Sequence, residues 1–175
     1  VPVWDIQNIN TQLAALPFAN QNFFADNNIG STLFSDIWTP AAFVSGNALV
    51  NISDADFKNC FIGSAFTWNP QMLFVQNSHF YKTGSMYYPF NNAAIYPEAG
   101  IQTLFSRQIN VWNSHFDDLK YGIRHNIGTW LGSDNNTFTN CNRGLSARGN
   151  STTNNLLFAR DNDFNNCLTG LQAQS

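Results

Sequence analysis

Phenylalanine returns along this chain inside a fixed frame of polar positions. Asp54-Ala55-Asp56-Phe57-Lys58-Asn59-Cys60, Asn135-Asn136-Thr137-Phe138-Thr139-Asn140-Cys141 and Asp161-Asn162-Asp163-Phe164-Asn165-Asn166-Cys167 align without a gap. Asn113 to Leu119 fits the same frame around Phe116, Asn77 to Phe80 matches its first half, and Ser31 to Ile37 is a weaker copy. The consensus is Asn or Asp three before Phe, Asn or Asp two after it, an apolar residue or Cys three after, and Gly six after. Phe34, Phe57, Phe80, Phe116, Phe138 and Phe164 are spaced 23, 23, 36, 22 and 26 residues apart. That period is too short for a helix pair or a propeller blade, and suits one solenoid coil of three short strands. The closely spaced leucines of a leucine-rich repeat are missing.

The frame predicts which side chains face inward. Strand alternation turns Phe toward the core and sends its two neighbours outward. Asn or Asp tolerates the left-handed backbone of a sharp corner, and Gly is expected to supply the same conformation at the next corner. Short apolar runs precede each first corner: Leu49-Val50-Asn51-Ile52, Met72-Leu73-Phe74-Val75, Ile109-Asn110-Val111-Trp112 and Leu156-Leu157-Phe158-Ala159. These read as a second strand in each coil. The predicted fold is all-β, a right-handed parallel β-helix of about six coils of 22–26 residues, with like residues stacked in ladders about 4.8 Å apart.

Composition agrees with a folded chain of unusual surface. Of 175 residues 43% are hydrophobic and 11% charged, against about 25% charged in an average soluble domain. Twenty-six are asparagine and sixteen phenylalanine, enough for a core and against a disordered reading. A net charge of −3 without a basic run argues against nucleic acid or anionic lipid as partner. No apolar stretch reaches the length of a membrane span. Low Lys with abundant Asn, Thr and Ser favours an exported protein, and the absence of a leading Met suggests a piece of a longer chain.

The segments Asn136-Thr137-Phe138-Thr139-Asn140-Cys141 and Asn162-Asp163-Phe164-Asn165-Asn166-Cys167, each closing with Gly-Leu, resemble right-handed parallel β-helix repeats of the pectate-lyase-like superfamily. They are most similar to those of secreted and cell-surface proteins of Bacteroidetes-type bacteria. The resemblance covers about residues 31–175. It implies a secreted or bacterial cell-surface location and, by analogy with those proteins, export by a type IX-like system through an outer-membrane translocon. It implies less about activity, because such folds serve lyases, hydrolases, phage tailspikes, adhesins and stalks.

Two regions leave the repeat. In residues 1–30, Ile6, Ile9, Leu13 and Leu16 have helical spacing, with Asp5 as N-cap and Pro17 as stop. Either a capping helix or an irregular first coil fits. Between Phe80 and Phe116 the long spacing implies an aromatic insertion, placed at about 81–105. Tyr81, Tyr87, Tyr88, Phe90 and Tyr96 are its binding candidates, suited to stacking on a polysaccharide or meeting another surface protein. The alternative is that these aromatics fold back on the flank of the solenoid.

Cys60, Cys141 and Cys167 share the position three after Phe, where core residues Ile37 and Leu119 stand in other coils. They read as small buried residues, with a Cys141–Cys167 bridge as the alternative. His79 and His115 share the outward column before Phe with Asp56, Thr137 and Asp163. They are metal candidates, or simply polar surface. Catalytic candidates are Asp117, Asp118, Arg124 and His125, with Arg143 and Arg148 one coil later. A hydrolase needs carboxylates flanking the scissile bond, and a lyase needs a base beside a Ca²⁺ cluster. The Asn-Thr-Asp, Asp-Asp and Gly-His-Gly series of the polygalacturonases is absent. The expectation is therefore a non-enzymatic scaffold, stalk or adhesin-like protein without a cofactor. The alternatives are a polysaccharide lyase or glycoside hydrolase, with Ca²⁺ if a lyase, and a phage tailspike segment.

Overall fold

The computed structural model describes residues 27–174 apart from 31, 38, 45–48, 68–71, 88–92, 107 and 150–155. The predicted helix at Ile6 to Leu16 lies outside the described residues, as do Tyr88 and Phe90.

The described chain winds as a parallel β-solenoid. Its first coil comprises β1 (Asn27–Gly30), β2 (Leu33–Ser35) and β3 (Ala41–Val44), and the second β4 (Leu49–Ser53), β5 (Asp56–Lys58) and β6 (Ile62–Thr67). The third has β7 (Met72–Gln76) and β8 (His79–Tyr81), departs into the hairpin β9 (Met86–Tyr87) and β10 (Ala94–Ile95), and resumes with β11 (Ala99–Leu104). β12 (Gln108–Trp112), β13 (His115–Asp117) and β14 (Tyr121–Asn126) follow, then β15 (Trp130–Asp134), β16 (Thr137–Thr139) and β17 (Arg143–Arg148). The last coil is β18 (Leu156–Arg160), β19 (Asp163–Asn165) and β20 (Thr169–Gln174). Equivalent strands pair in parallel into three six-stranded sheets: A from the first strands, B from the second and C from the third. Six layers make about five turns, close to the six coils expected from the repeat.

The phenylalanine ladder forms the spine of the core. Phe34, Phe57, Phe80, Phe116, Phe138 and Phe164 stack with ring centroids 4.5–5.1 Å apart and interplanar angles of 3–20°. Around it pack inward columns such as Val50, Leu73, Ile109 and Leu131 of sheet A and Ile101, Ile123 and Leu145 of sheet C. Cys60 and Cys141 are buried and Cys167 half-buried, all three unbridged. Each thiol points at the carbonyl of the Phe in the preceding coil, at 3.4–3.8 Å. Burial pushes the Cys60 and Cys141 thiols up to about 12. Small size and an S–H donor aimed at a buried carbonyl explain cysteine here better than redox chemistry does.

Asparagine and aspartate make the corners. Asp54, Asn77, Asn113, Asn135 and Asp161 between sheets A and B have φ of 49–56°. Asp36, Asn59, Asp118, Asn140 and Asn166 between sheets B and C have φ of 52–58°. Their side chains bond along the solenoid axis, Asn59 to Asp36, Asn77 to Asp54, Asn135 to Asn113 and Asn166 to Asn140. An interior ladder runs beside them, two residues before each Phe. The side-chain oxygens of Ser78, Ser114, Asn136 and Asn162 accept from the backbone N–H of the preceding coil, so these buried donors are satisfied.

The glycines six after Phe have another role than the one expected. They are not corner residues but lie in sheet C; a Cβ on Gly63, Gly122 or Gly144, or on Gly100, which takes the same register position after the insertion, would come within 2.4–2.7 Å of the next coil's Phe ring. Glycine is required because that ring crosses the strand.

At the corner between sheets C and A the left-handed residues among those described are Phe105, with φ 57°, and Ile127, with φ 54°. A β-branched side chain is strained there, by about 1–3 kcal/mol. Ile127→Asn should therefore stabilise the fold by about 1 kcal/mol, visible as a rise of about 2–4 °C in the thermal midpoint. An unchanged or lower midpoint would show that the partly buried isoleucine contributes more through packing than its backbone costs.

Candidate functional site

The insertion leaves the solenoid at the corner between sheets B and C. Three residues separate Lys58 from Ile62 and Asp117 from Tyr121, but seventeen separate Tyr81 from Ala99. The departing segment is thus 82–98, and residues 99–104 already belong to sheet C. Lys82 stands two after Phe80, where other coils place the corner Asn or Asp. Its N–H still bonds the Asp117 carbonyl, which keeps the corner ladder unbroken at the root of the insertion.

Three ion pairs, a cation–π contact and a hydrogen bond hold that root. Lys82 Nζ lies 2.9 Å from Asp118 Oδ2 and 5.0 Å from the centre of the Tyr96 ring. The Tyr96 hydroxyl donates to Asp118 Oδ1. Glu98 accepts from Lys120 at 2.8 Å and from Arg124 at 2.9 Å. Burial opposes the charge on Asp118, but the hydrogen bonds from Tyr96 and Lys82 outweigh it and hold the carboxyl below its usual range. Burial, reinforced by Asp118, raises the Tyr96 hydroxyl well above the ordinary phenol. The backbone joins in, since Lys120 and Tyr121 donate to the carbonyls of Pro97 and Glu98.

Beside the root, on the outer face of sheet B, His79 and His115 are direct neighbours, with ring centroids 5.9 Å apart. The insertion does not separate them. His79 Nε2 lies 2.5 Å from Asp117 Oδ2, and its Nδ1 is 4.0 Å from Asp56. The Tyr81 ring stacks on His79 at 4.1 Å. The His79 hydrogen bond keeps the Asp117 carboxyl below its ordinary value against the pull of burial. Among the described residues no three His, Cys, Asp or Glu side chains are grouped to hold a metal ion. Asp117 occupies Nε2 of His79.

The four catalytic candidates do not converge. Asp117 faces outward from sheet B, Asp118 sits at the corner, and Arg124 faces outward from sheet C beside Glu98. His125 points inward and is buried, with Nδ1 2.5 Å from Thr103 Oγ1 and Nε2 without a partner. It cannot meet a substrate at the surface, because strand alternation sends it to the face opposite Arg124. Arg143 donates to the Tyr121 hydroxyl at 2.6 Å, so Lys120, Arg124 and Arg143 surround one ring at 4.9–5.7 Å. Arg148 is exposed at the far end of the same sheet.

Of the binding candidates, Tyr81 lies on the sheet B face and Tyr96 at the root. Tyr87 belongs to the outer hairpin, pairing with Ala94. Sequence reasoning missed Lys82 and Glu98. The register contained a signal for Lys82, the one basic residue in a column of corner amides and carboxylates. Glu98 had none, because its partners are brought to it by the return of the insertion.

The geometry defines the class: a parallel β-solenoid carrying a clamped insertion at one corner. Comparison with protein-family models, curated proteins and solved structures gave no match, so that class rests on the chain's own architecture.

Proposed function

We propose that this chain is a non-enzymatic scaffold of a secreted or cell-surface bacterial protein, a stalk or adhesin-like segment that presents its insertion to a polysaccharide or another surface protein. The observation that carries the reading is the use of charge at the corner. Asp117, Asp118 and Glu98 are each engaged by a cation, a histidine or a hydroxyl of the chain itself. Such pairing fixes a loop on a rigid mount, whereas acid–base catalysis needs carboxylates or a base free to face substrate. The likeness of the repeats to pectate-lyase-like and Bacteroidetes-type surface proteins supports the location, and a type IX-like export route through an outer-membrane translocon follows from that likeness alone.

Incubation with polygalacturonate and alginate tests the reading. We expect no unsaturated product and no new reducing ends over prolonged exposure. Product formation abolished by Asp117→Ala would replace the scaffold with a lyase or hydrolase.

A further inference from the structure

The outer face of sheet A, a different surface from the insertion corner, carries aromatic side chains set among amides. Four aromatic rings project from it: Phe74, Trp112, Trp130 and Phe158, on four successive strands. Phe74 and Trp112 meet edge to face at 5.6 Å. Trp130 is held differently. Its indole N–H donates to Asn110 Oδ1 on the neighbouring strand at 3.2 Å, which draws the indole across the sheet over Gly132. A Cβ at Gly132 would lie 2.6 Å from that oxygen and 3.2 Å from the indole nitrogen. Glycine at an outward position is therefore what lets the tryptophan reach its amide partner.

The polar groups of the same face are Asn51, Ser53, Gln76, Gln108 and Asn110, together with one internally neutralised pair. In that pair Arg160 embraces the Asp134 carboxylate through Nε and Nη2, and its guanidinium sits 5.9 Å from the Phe158 ring. The charges among these residues cancel, and Phe158 is 47% exposed.

We propose that this face is a binding platform for a neutral polysaccharide lying along the solenoid axis. Rings offer flat apolar surface to the C–H faces of sugars, while primary amides both donate to and accept from hydroxyls. An anionic ligand would find no net positive charge here, and an ordinary protein partner would leave the amides between the rings to be satisfied one by one. Strands about 4.8 Å apart place Phe74 and Trp130, two strands from one another, at about the length of a disaccharide. Rings on alternate strands can thus meet alternate sugars of an extended chain. Because the rings stand on a sheet rather than on a loop, little order has to be created on binding.

Titration of the whole chain with three neutral sugars, cellohexaose, xylohexaose and mannohexaose, and with oligogalacturonate as an anionic control, followed by tryptophan fluorescence and calorimetry, tests the platform. At least one neutral sugar should bind saturably in the millimolar range or tighter, with no loss of affinity at high salt. Trp130→Ala should weaken it about tenfold while the thermal midpoint stays near that of the parent chain. Should Trp130→Ala unfold, Trp130→Phe and Asn110→Ala provide the comparison, each expected to weaken binding less. Absence of saturation with all three sugars would overturn the proposal. So would binding only to oligogalacturonate in a salt-sensitive way, which would move the site to the arginines of sheet C. Concentration-dependent dimerisation lost in Trp130→Ala would assign the face to a second copy instead.

Discussion

Replacing Phe116 with alanine should cost about 3–5 kcal/mol of folding stability, the range for removing a large aromatic from a core that cannot collapse around the gap. Phe116 is fully buried, stacked 5.0 Å from Phe80 and 4.9 Å from Phe138. Its ring also covers Gly100, whose missing Cβ marks how tightly that strand is approached. The strand spacing of the three sheets is set by backbone hydrogen bonds, so the coils above and below cannot close the void. In a solenoid each coil is stabilised mainly by its neighbours, and the loss falls on both interfaces of that coil. Denaturant unfolding of Phe116→Ala beside Phe164→Ala provides the check. Phe164 is only half-buried and stacks on one described partner, so its truncation should cost clearly less. Equal effects, or a loss below about 1 kcal/mol at Phe116, would mean that the ladder is not the main support of the fold.

Acid should weaken the fold through His125. Burial brings this imidazole down from 6.5 to about 4, because the charged form has no water and no counter-ion beside it. The ring is wedged against Gly128, where a Cβ would stand 1.8 Å from Nε2. In the unfolded chain the same group takes up a proton below about pH 6.5. Folding is therefore favoured by the neutral ring above that pH and loses stability progressively as the pH falls toward 4, by about 3 kcal/mol in all. His125→Gln retains a polar partner for Thr103 without titrating. The wild-type chain should lose about 3 kcal/mol more than this variant between pH 7 and pH 4. Identical pH dependence in the two would show that the imidazole is solvated after all.

That outcome bears on function as well as stability, because His125 was a catalytic candidate by sequence. Arg124 and His125 are adjacent in the chain. In a strand, adjacency means opposite faces. Arg124 meets Glu98 outside, while His125 shares an interior column with Thr103 and Ala147. Asp117 and Asp118 part for a different reason: Asp117 ends its strand facing outward, and Asp118 turns the corner with φ 56°.

The sequence by itself determined the parallel solenoid, its six phenylalanine positions, the left-handed Asn and Asp corners, cysteine as core filler and the coil that carries the insertion. All of these repeat, and a residue that recurs at the same place in every coil reports the local geometry of that place. Tertiary structure alone decided the partners of residues that occur once. The return of the insertion brought Tyr96 and Glu98 to Asp118, Lys120 and Arg124, contacts that no periodicity encodes. It also decided the meaning of the repeated glycines. Their spacing was plain in the sequence, but only the ring of the next coil, 2.4–2.7 Å from where a Cβ would stand, shows that glycine there makes room rather than a turn. The aromatic face of sheet A had the same origin. Trp112 and Trp130 are ordinary outward residues in sequence, and the register that joins Trp130 to Asn110 across Gly132 makes a surface of them.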